Sequence, residues 1–255
     1  MDKQTLLNRY TDEQRIHSEL PGWNREAVGS VIRHVSADSG LILYSELTEK
    51  DVDIAIDEQI QYFKRLGKPF KWKWFDYDTP GNLKERLKKK GFEGRDPVSL
   101  MINPLSTENS LLHKKVSSII RTISTAKEID DIISLQNLIW DVDFSGLGNR
   151  LKSDKAETPN LLHIYAAYVN DKPVSAAWMY LDAGTSFGSL WGGSTLPEYR
   201  GQGIYTDLLA IRAQKAWEMG YTLLTVDATK MSEPILEKRG FQKLGITIPY
   251  QSPAD

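Results

Sequence analysis

Residues 191–206 join an apolar, strand-like run to a turn with two glycines and then to the start of a helix; they read WGGSTLPEYRGQGIYT. Gly201 and Gly203 allow the backbone to turn sharply and to approach a ligand closely. The first N–H groups of the following helix lack acceptors within it, and the positive end of its dipole lies there too. The pattern predicts a strand–turn–helix unit with an anion site suited to phosphate. Such a turn can also be an ordinary loop, so its surroundings decide between the two interpretations.

The composition is that of a globular protein with a substantial core. The chain has 255 residues, of which 40% are hydrophobic and 26% charged, enough for one large domain or two small ones. The formal net charge of -2 excludes the basic footprint expected of a nucleic-acid-binding protein. The absence of cysteine excludes disulfide scaffolds, thiolate metal sites and cysteine nucleophiles.

The sequence offers no signal for a metal site, membrane insertion or export. Its four histidines, at positions 17, 34, 113 and 163, are scattered without ligand spacing, so we predict no metal site. No run approaches the roughly 18 apolar residues that span a membrane, and residues 1–20 lack an apolar segment of signal-peptide length. We therefore expect a cytoplasmic protein with no membrane partner. A lysine-rich helix at 84–90 is expected to present a solvated charged face.

The hydrophobic pattern divides the chain in two. Residues 103–116 contain turn formers and no clear period, and we place a linker at 106–116 between domains at 1–105 and 117–255. Strand-like runs and helical patterns alternate in both parts, which predicts an α/β fold with a mixed sheet.

The two halves end in the same order of elements, which indicates a weakly preserved tandem duplication. In each, a helix stops at a glycine, a strand and a proline-containing turn follow, and a short helix ends in Gly-Phe, at 91–92 and at 240–241. The first half carries Glu49 and Asp51 where the second has its glycine turn. Because carboxylates at a helix start repel phosphate, only the C-terminal copy is predicted to bind a nucleotide-like cofactor.

The strand, the Pro-x-Tyr-Arg-Gly-x-Gly turn, the long helix, the buried strand and the short helix ending in Gly-Phe resemble the GNAT superfamily of acyl-CoA-dependent N-acyltransferases. The resemblance covers residues 117–250 and includes Arg200–Tyr205 and Ser232–Phe241. Residues 1–105 resemble a degenerate copy of the same fold, mainly through Trp74, Pro80 and Leu87–Phe92. The implied architecture is two GNAT-like units, each a central mixed, mostly antiparallel sheet flanked by helices.

The resemblance implies acetyl-CoA as the acyl donor. Its pyrophosphate would bind main-chain N–H groups of the turn, at Arg200, Gly201, Gln202, Gly203, Ile204, Tyr205 and Thr206. Gly193, Ser194 and Thr195 would hold the pantetheine arm and the thioester carbonyl. Pantetheine amides can pair with an open strand edge, and the glycines at 192 and 193 permit a bulge whose N–H could stabilise an oxyanion. The alternative is that these glycines only bend the strand.

Three positions depart from the superfamily pattern. Tyr205 stands where glycine or alanine is usual, Leu236 where a tyrosine often protonates the leaving thiolate, and Thr229 where an asparagine is common. The general acid is therefore not assigned by position, and the candidates that remain for it are Ser232 and Tyr205. Asp227 ends an apolar run typical of a buried strand, where open α/β sheets place ligands, and is the predicted general base. A carboxylate there can instead cap the following turn.

We predict an N-acetyltransferase that moves an acetyl group from acetyl-CoA to an amine by direct attack in a ternary complex. Two alternatives stay open: a non-catalytic acyl-CoA sensor or scaffold, which the missing tyrosine and asparagine suit, and an aminoacyl-tRNA-dependent ligase, since tandem copies of this fold also occur there. Trp178, Tyr180 and Trp191 either line an acceptor pocket or belong to the core. The identity of the amine, and the choice between monomer and homodimer, are also open.

Overall fold

A computed structural model describes residues 1–253, which fold into two compact units. The first comprises Met1–Ile102, Asp227–Glu237 and the residues from Gln242 onward; the second comprises Asn103–Val226 and Lys238–Phe241. Both consist of a mixed sheet with helices, so the predicted α/β class is confirmed.

The elements follow one another along the chain in alternating order. They are α1 (Lys3–Tyr10), a π-helical segment (Thr11–Ile16), β1 (Asn24–Val28), β2 (Val31–Val35), β3 (Gly40–Ser45), α2 (Val52–Leu66), β4 (Phe70–Phe75), α3 (Leu83–Lys89), β5 (Glu93–Gly94), β6 (Val98–Pro104), β7 (Ile119–Ile123), α4 (Ala126–Trp140), α5 (Ser145–Glu157), β8 (Leu162–Val169), β9 (Lys172–Leu181), β10 (Phe187–Thr195), a 3-10 turn (Pro197–Tyr199), α6 (Ile204–Glu218), β11 (Leu223–Ala228), α7 (Glu233–Glu237) and β12 (Gln242–Gln251).

The sheet of the first unit has the order β1-β2-β3-β4-β12-β6. Its neighbours are antiparallel except β3 and β4, which run parallel and are joined by α2. The last strand of the chain, β12, therefore completes the sheet of the first unit. The compact units thus differ from the predicted domains, because residues 227–237 and those from 242 onward belong to the first unit and not to the second. Those limits stay a prediction, and the last two residues of the range 117–255 lie outside the described residues.

The sheet of the second unit has the order β11-β10-β9-β8-β7. Strands β7 to β10 are antiparallel, whereas β10 and β11 run parallel and are joined by α6. Both units thus contain an antiparallel strand pair followed by a helix and a parallel strand, an arrangement that fits the predicted duplication.

Each face of the second unit's sheet has its own core. Ile164 and Ala166 of β8 pack with α4 and α5, whereas Tyr165 and Ala167 pack with the start of α6. Because successive residues of a strand point to opposite faces, α4 and α5 cover one face and α6 covers the other. The end of β10 is therefore reached by α4 from one face and by α6 from the other.

The lysine-rich helix of the first unit, now α3, faces acidic side chains of the α2 segment. Arg86 lies 2.7 Å from Asp53 and 3.2 Å from Glu49, and Lys90 lies 2.6 Å from Asp57. Glu49 precedes α2 and Asp53 and Asp57 lie in it, so the acids recur every four residues and share one face. The predicted solvated face is in fact a row of exposed ion pairs, each worth little stability alone.

None of the helices in the described part of the chain is long and apolar enough to cross a membrane.

Candidate functional site

The predicted strand, glycine turn and helix are present in the second unit. After β10 the chain passes through the 3-10 turn and reaches α6 by way of Gly201 and Gly203, whose φ angles are 74° and 83°. Any other residue is strained in this left-handed region. The two glycines therefore allow the chain to enter α6 so that its first N–H groups border the turn.

The N-terminus of α6 carries backbone donors that the helix does not use. Its first hydrogen bond runs from the N–H of Asp207 to the carbonyl of Gly203, at 3.0 Å, so the N–H groups of Ile204, Tyr205 and Thr206 precede it. Within residues 1–253 no side chain caps this end. Uncompensated donors and the positive dipole end together form an arrangement that can bind phosphate.

Two side chains of the turn form hydrogen bonds with carbonyl groups of the same segment. The Arg200 guanidinium donates from Nε to the carbonyl of Thr195, at 3.0 Å, and the Gln202 amide donates to the carbonyl of Glu198, also at 3.0 Å. These side chains are thus committed to carbonyls of the same segment. An anion at this turn would be bound mainly by the main chain.

The predicted bulge in β10 is confirmed. Trp191 pairs with Trp178 of β9, and Ser194 pairs with Ala176, two positions away. Gly192 and Gly193 therefore both lie opposite the single residue Ala177. On the other side of β10, pairing with β11 is described only as far as Ser189. Beyond that point the strand continues to its end without a described β11 partner, which leaves an edge that an extended ligand can use.

Packing explains why both bulge residues are glycines. Gly192 has φ 65°, and a Cβ there would lie 1.9 Å from the Trp178 ring. A Cβ on Gly193 would lie 2.8 Å from Cε2 of Tyr205. Tyr205, the residue that departs from the superfamily pattern, therefore packs inward against the bulge. Burial raises the pKa of its hydroxyl, an effect that the nearby guanidinium of Arg212 opposes.

Helix α4 fixes the bulge through two side chains. A capping box of Thr125 and Glu128 starts this helix and thereby sets the position of its later turns. The Gln136 amide then donates to the carbonyl of Gly192 at 3.1 Å, and the Trp140 indole N–H donates to the Ser194 hydroxyl at 2.9 Å. The backbone of the bulge is thus held in place from this face of the sheet.

Arg212 reaches the bulged strand from the opposite face. It is fully buried in α6 and donates to the carbonyls of Leu208, Trp178 and Trp191, at 2.9, 3.2 and 3.4 Å. No carboxylate pairs with it among the residues that the structure describes. Burial lowers the pKa of the guanidinium to about 10, with Tyr205 opposing that shift, so the group is charged at neutral pH.

Sequence reasoning missed Arg212 and the two α4 side chains. Arg212 lies four residues from both Leu208 and Ala216 on the buried face of α6. An arginine at such spacing is the signal that could have identified it. Gln136 and Trp140 had no comparable signal, because their role depends on which strand α4 covers.

The end of the predicted linker and the two serines that follow it pack against α6. Asp207, which is buried, accepts hydrogen bonds from the N–H and hydroxyl groups of Ser117 and Ser118, at 2.8 to 3.0 Å. Lys114 lies 2.8 Å from the same carboxylate. Burial alone would raise the pKa of Asp207, but Lys114 and the serine donors outweigh it and hold the pKa well below its ordinary value. Lys114 of the linker and the two serines thereby anchor the helix that follows the glycine turn.

We expect Asp207→Asn to lower the free energy of unfolding by about 1–3 kcal/mol at pH 7. A carboxyl whose pKa is lower in the folded state than in the unfolded state stabilises the fold. Its full contribution to the free energy of unfolding is present at a pH above the unfolded-state pKa, about 3.9, and is lost as the pH falls below that value toward the folded-state pKa. Urea unfolding between pH 6 and pH 2.5, values chosen to bracket that pKa, should therefore show a shallower loss of stability in the variant. The exposed Asp171→Asn is the control; equal pH dependence in Asp207→Asn and wild type would contradict the prediction.

The two predicted catalytic residues belong to the first compact unit. Asp227, near the end of β11, forms a 2.7 Å ion pair with Lys73 through Oδ2. Ser232 donates its hydroxyl to the carbonyl of Thr229 at 3.2 Å, in the turn before α7. The structure thus brings the turn and bulge residues together in one unit, while the roles of Asp227 and Ser232 stay predictions.

Among the described residues, no group of three or more histidine, aspartate or glutamate side chains is placed so that it could hold a metal ion. Of the predicted pocket aromatics, Trp178 is buried in the core and the Tyr180 hydroxyl donates to Asp154 at 2.6 Å. Trp191 is half exposed.

Comparison with known proteins agrees with this geometry. Residues 129–241 match the family model described as "Acetyltransferase (GNAT) family", a span that includes the bulge, the glycine turn and α6. No curated protein matches the chain.

Three solved structures are similar over nearly the whole chain. A GCN5-related N-acetyltransferase from Kribbella flavida has a TM-score of 0.65 at 14% identity, covering 99% of this chain and 95% of that one. A functionally unknown conserved protein from Staphylococcus epidermidis has a TM-score of 0.65 at 15% identity, covering 95% and 96%. A tandem GNAT protein from the clavulanic acid biosynthesis pathway has a TM-score of 0.63 at 10% identity, covering 94% and 87%. At these identities the likeness shows a shared fold.

Proposed function

Because residues 129–241 form a domain of the acetyltransferase (GNAT) family, we propose that the protein transfers an acetyl group from acetyl-CoA to an amine. The proposal rests on one observation: the same compact unit contains both a glycine turn at the uncapped start of α6 and a glycine bulge in β10. The first suits a pyrophosphate and the second suits a thioester on an extended amide arm.

The donor would be bound mostly by main-chain groups. Residues Arg200 to Thr206 surround the proposed pyrophosphate position, and Gly193 to Thr195 offer backbone to the pantetheine arm. Because the main chain provides these contacts, the Arg200 side chain can donate its hydrogen bond to the carbonyl of Thr195 without weakening donor binding. We expect the main-chain contacts to contribute more to donor affinity than the Arg200 side chain does.

The reaction that fits this arrangement is direct acyl transfer. The lone pair of the amine nitrogen attacks the thioester carbonyl carbon, a C–N bond forms and the C–S bond breaks. A bulge N–H stabilises the negative charge that develops on the carbonyl oxygen. The amine proton passes to a base or to water, and the CoA thiolate leaves and takes up a proton from solvent or an acid. A thiolate leaves readily enough that a dedicated acid is not essential.

Asp227 is our proposed base. Lys73 occupies its Oδ2, and the other carboxylate oxygen accepts no hydrogen bond from the described residues. Ser232, whose hydroxyl donates to the carbonyl of Thr229, is the proposed proton donor to the thiolate.

We expect Asp227→Asn to lower kcat by about 100-fold, because an amide does not accept the amine proton. Steady-state rates across pH 5 to 9, centred on the operating pH that suits a general base, measure this. Glu237→Gln, an exposed carboxylate in the same compact unit, is the control. A variant profile that superimposes on wild type would reject Asp227 as the base.

Thiol release tests the function itself. The protein contains no cysteine, so a thiol reagent added to protein, acetyl-CoA and amines reports only the CoA produced. We expect release that requires both the protein and an amine, with an acetylated amine formed in equal amount. Tight acetyl-CoA binding with no release across primary amines of all classes would instead favour the non-catalytic sensor.

A further inference from the structure

Two tryptophans of the second unit keep half their surface exposed beside the β10 bulge. Trp191 is 50% exposed and directly precedes Gly192, and Trp140 is 51% exposed and donates to Ser194 just after the bulge. They therefore flank the backbone that the proposed function assigns to the thioester. Large exposed apolar surface at such a place indicates a binding surface.

Both indoles belong to the same face of the sheet. Trp191 pairs across the strands with Trp178, and directly paired residues point to one face. Trp178 packs in the core formed with α4 and α5, and Trp140 is the last residue of α4. The turn and α6 lie on the opposite face. An acceptor on the tryptophan face would therefore approach the bulge from the side away from α6.

The surface around the indoles is apolar and acidic. Val142, two residues after Trp140, is 53% exposed, and Asp141 and Asp143 flank it after the end of α4. Residues 132–149 contain these two acidic side chains and no lysine or arginine. A cation is attracted to this surface and a carboxylate is repelled. Indole faces add a further attraction for cations and for aromatic rings.

Resting on the proposed acetyl transfer, we propose that the acceptor is a small primary amine joined by a short aliphatic link to an aromatic ring. The ring lies against Trp191 and Trp140, while Asp141 and Asp143, in the segment that follows Trp140, attract the ammonium group to this surface. A polyamine would leave the indoles uncovered. An amino acid with the same ring would place its carboxylate in the acidic field.

Matched amines test this class. We expect kcat/KM for 2-phenylethylamine to exceed that for propylamine, and that for phenylalanine, each by at least about tenfold. A capped peptide that begins with phenylalanine and a polyamine, spermidine, complete the panel. Equal values for 2-phenylethylamine and propylamine, or a preference for spermidine, phenylalanine or the peptide, would overturn the proposal.

Two tryptophan variants test whether the preference for an aromatic amine depends on Trp191. Trp191→Ala should reduce the ratio of kcat/KM for 2-phenylethylamine to that for propylamine by about tenfold. Trp217→Ala, which removes another part-exposed tryptophan near the end of α6, is the matched control and should leave that ratio unchanged. An unchanged ratio in Trp191→Ala, measured while acetyl-CoA affinity is intact, would contradict the proposal.

Failure of the proposed function can be told apart from failure of this inference. If no amine gives thiol release, the acetyl-transfer proposal falls, and binding of 2-phenylethylamine to the protein with CoA is measured by equilibrium dialysis. Binding that Trp191→Ala weakens about tenfold, and Trp217→Ala does not, would support the aromatic-amine surface on its own. No binding by wild type would overturn it.

Discussion

We expect Gly203→Glu to lower the affinity for acetyl-CoA by at least about 100-fold. The substitution places a carboxylate beside the uncapped N–H groups of α6, where it competes for the donors and repels the pyrophosphate. Gly203 also has φ 83°, so any side chain strains the turn that aims those donors. Isothermal titration of acetyl-CoA into wild type and variant measures the change.

Two controls separate charge from strain. Gly184→Glu makes the same substitution at φ 74° in the turn before β10, where an added Cβ also meets nothing within 4 Å. It should bind acetyl-CoA like wild type. Gly203→Ala keeps the strain but adds no charge, and its affinity should fall between the two. Wild-type affinity in Gly203→Glu would remove the pyrophosphate site from the turn.

The parts of the site that were predictable from sequence are local ones. A strand, two glycines and a helix start follow one another in 16 consecutive residues, so the turn and its donors could be placed without knowing the rest of the fold. The bulge was predictable for the same reason, from Gly192 and Gly193 alone. The requirement for glycine at 192 was not, because the clashing ring belongs to Trp178 on the neighbouring strand.

Features that depend on distant partners escaped prediction. The pairing of β12 with β4 joins residues more than 170 positions apart, and no local pattern encodes such a register. The sequence predicts that Arg86 and Lys90 face solvent, because the acidic side chains that pair with them, Asp53 and Asp57, are distant in sequence and approach them only when the chain folds. Trp140 became part of the candidate site in the same way, once α4 was placed over β10.

Arg212 offers the second large effect. We expect Arg212→Met to lower kcat by at least about tenfold while leaving the unfolding midpoint equal to or above that of wild type. A buried guanidinium without a carboxylate partner carries a desolvation cost, and methionine fills much of its volume without that cost. Thermal unfolding and steady-state kinetics on the same preparations measure both quantities.

The expected loss of turnover follows from what Arg212 contacts. Its guanidinium donates to the carbonyl of Trp191, in the peptide unit whose N–H belongs to Gly192. Donation to the carbonyl of a peptide strengthens its N–H as a donor, and it also fixes the direction of that group. Arg150→Met, at an exposed arginine of α5, should change neither quantity. If Arg212→Met instead kept wild-type kcat and lost stability, the arginine would only hold α6 to the sheet, and the bulge would have to polarise the thioester without it.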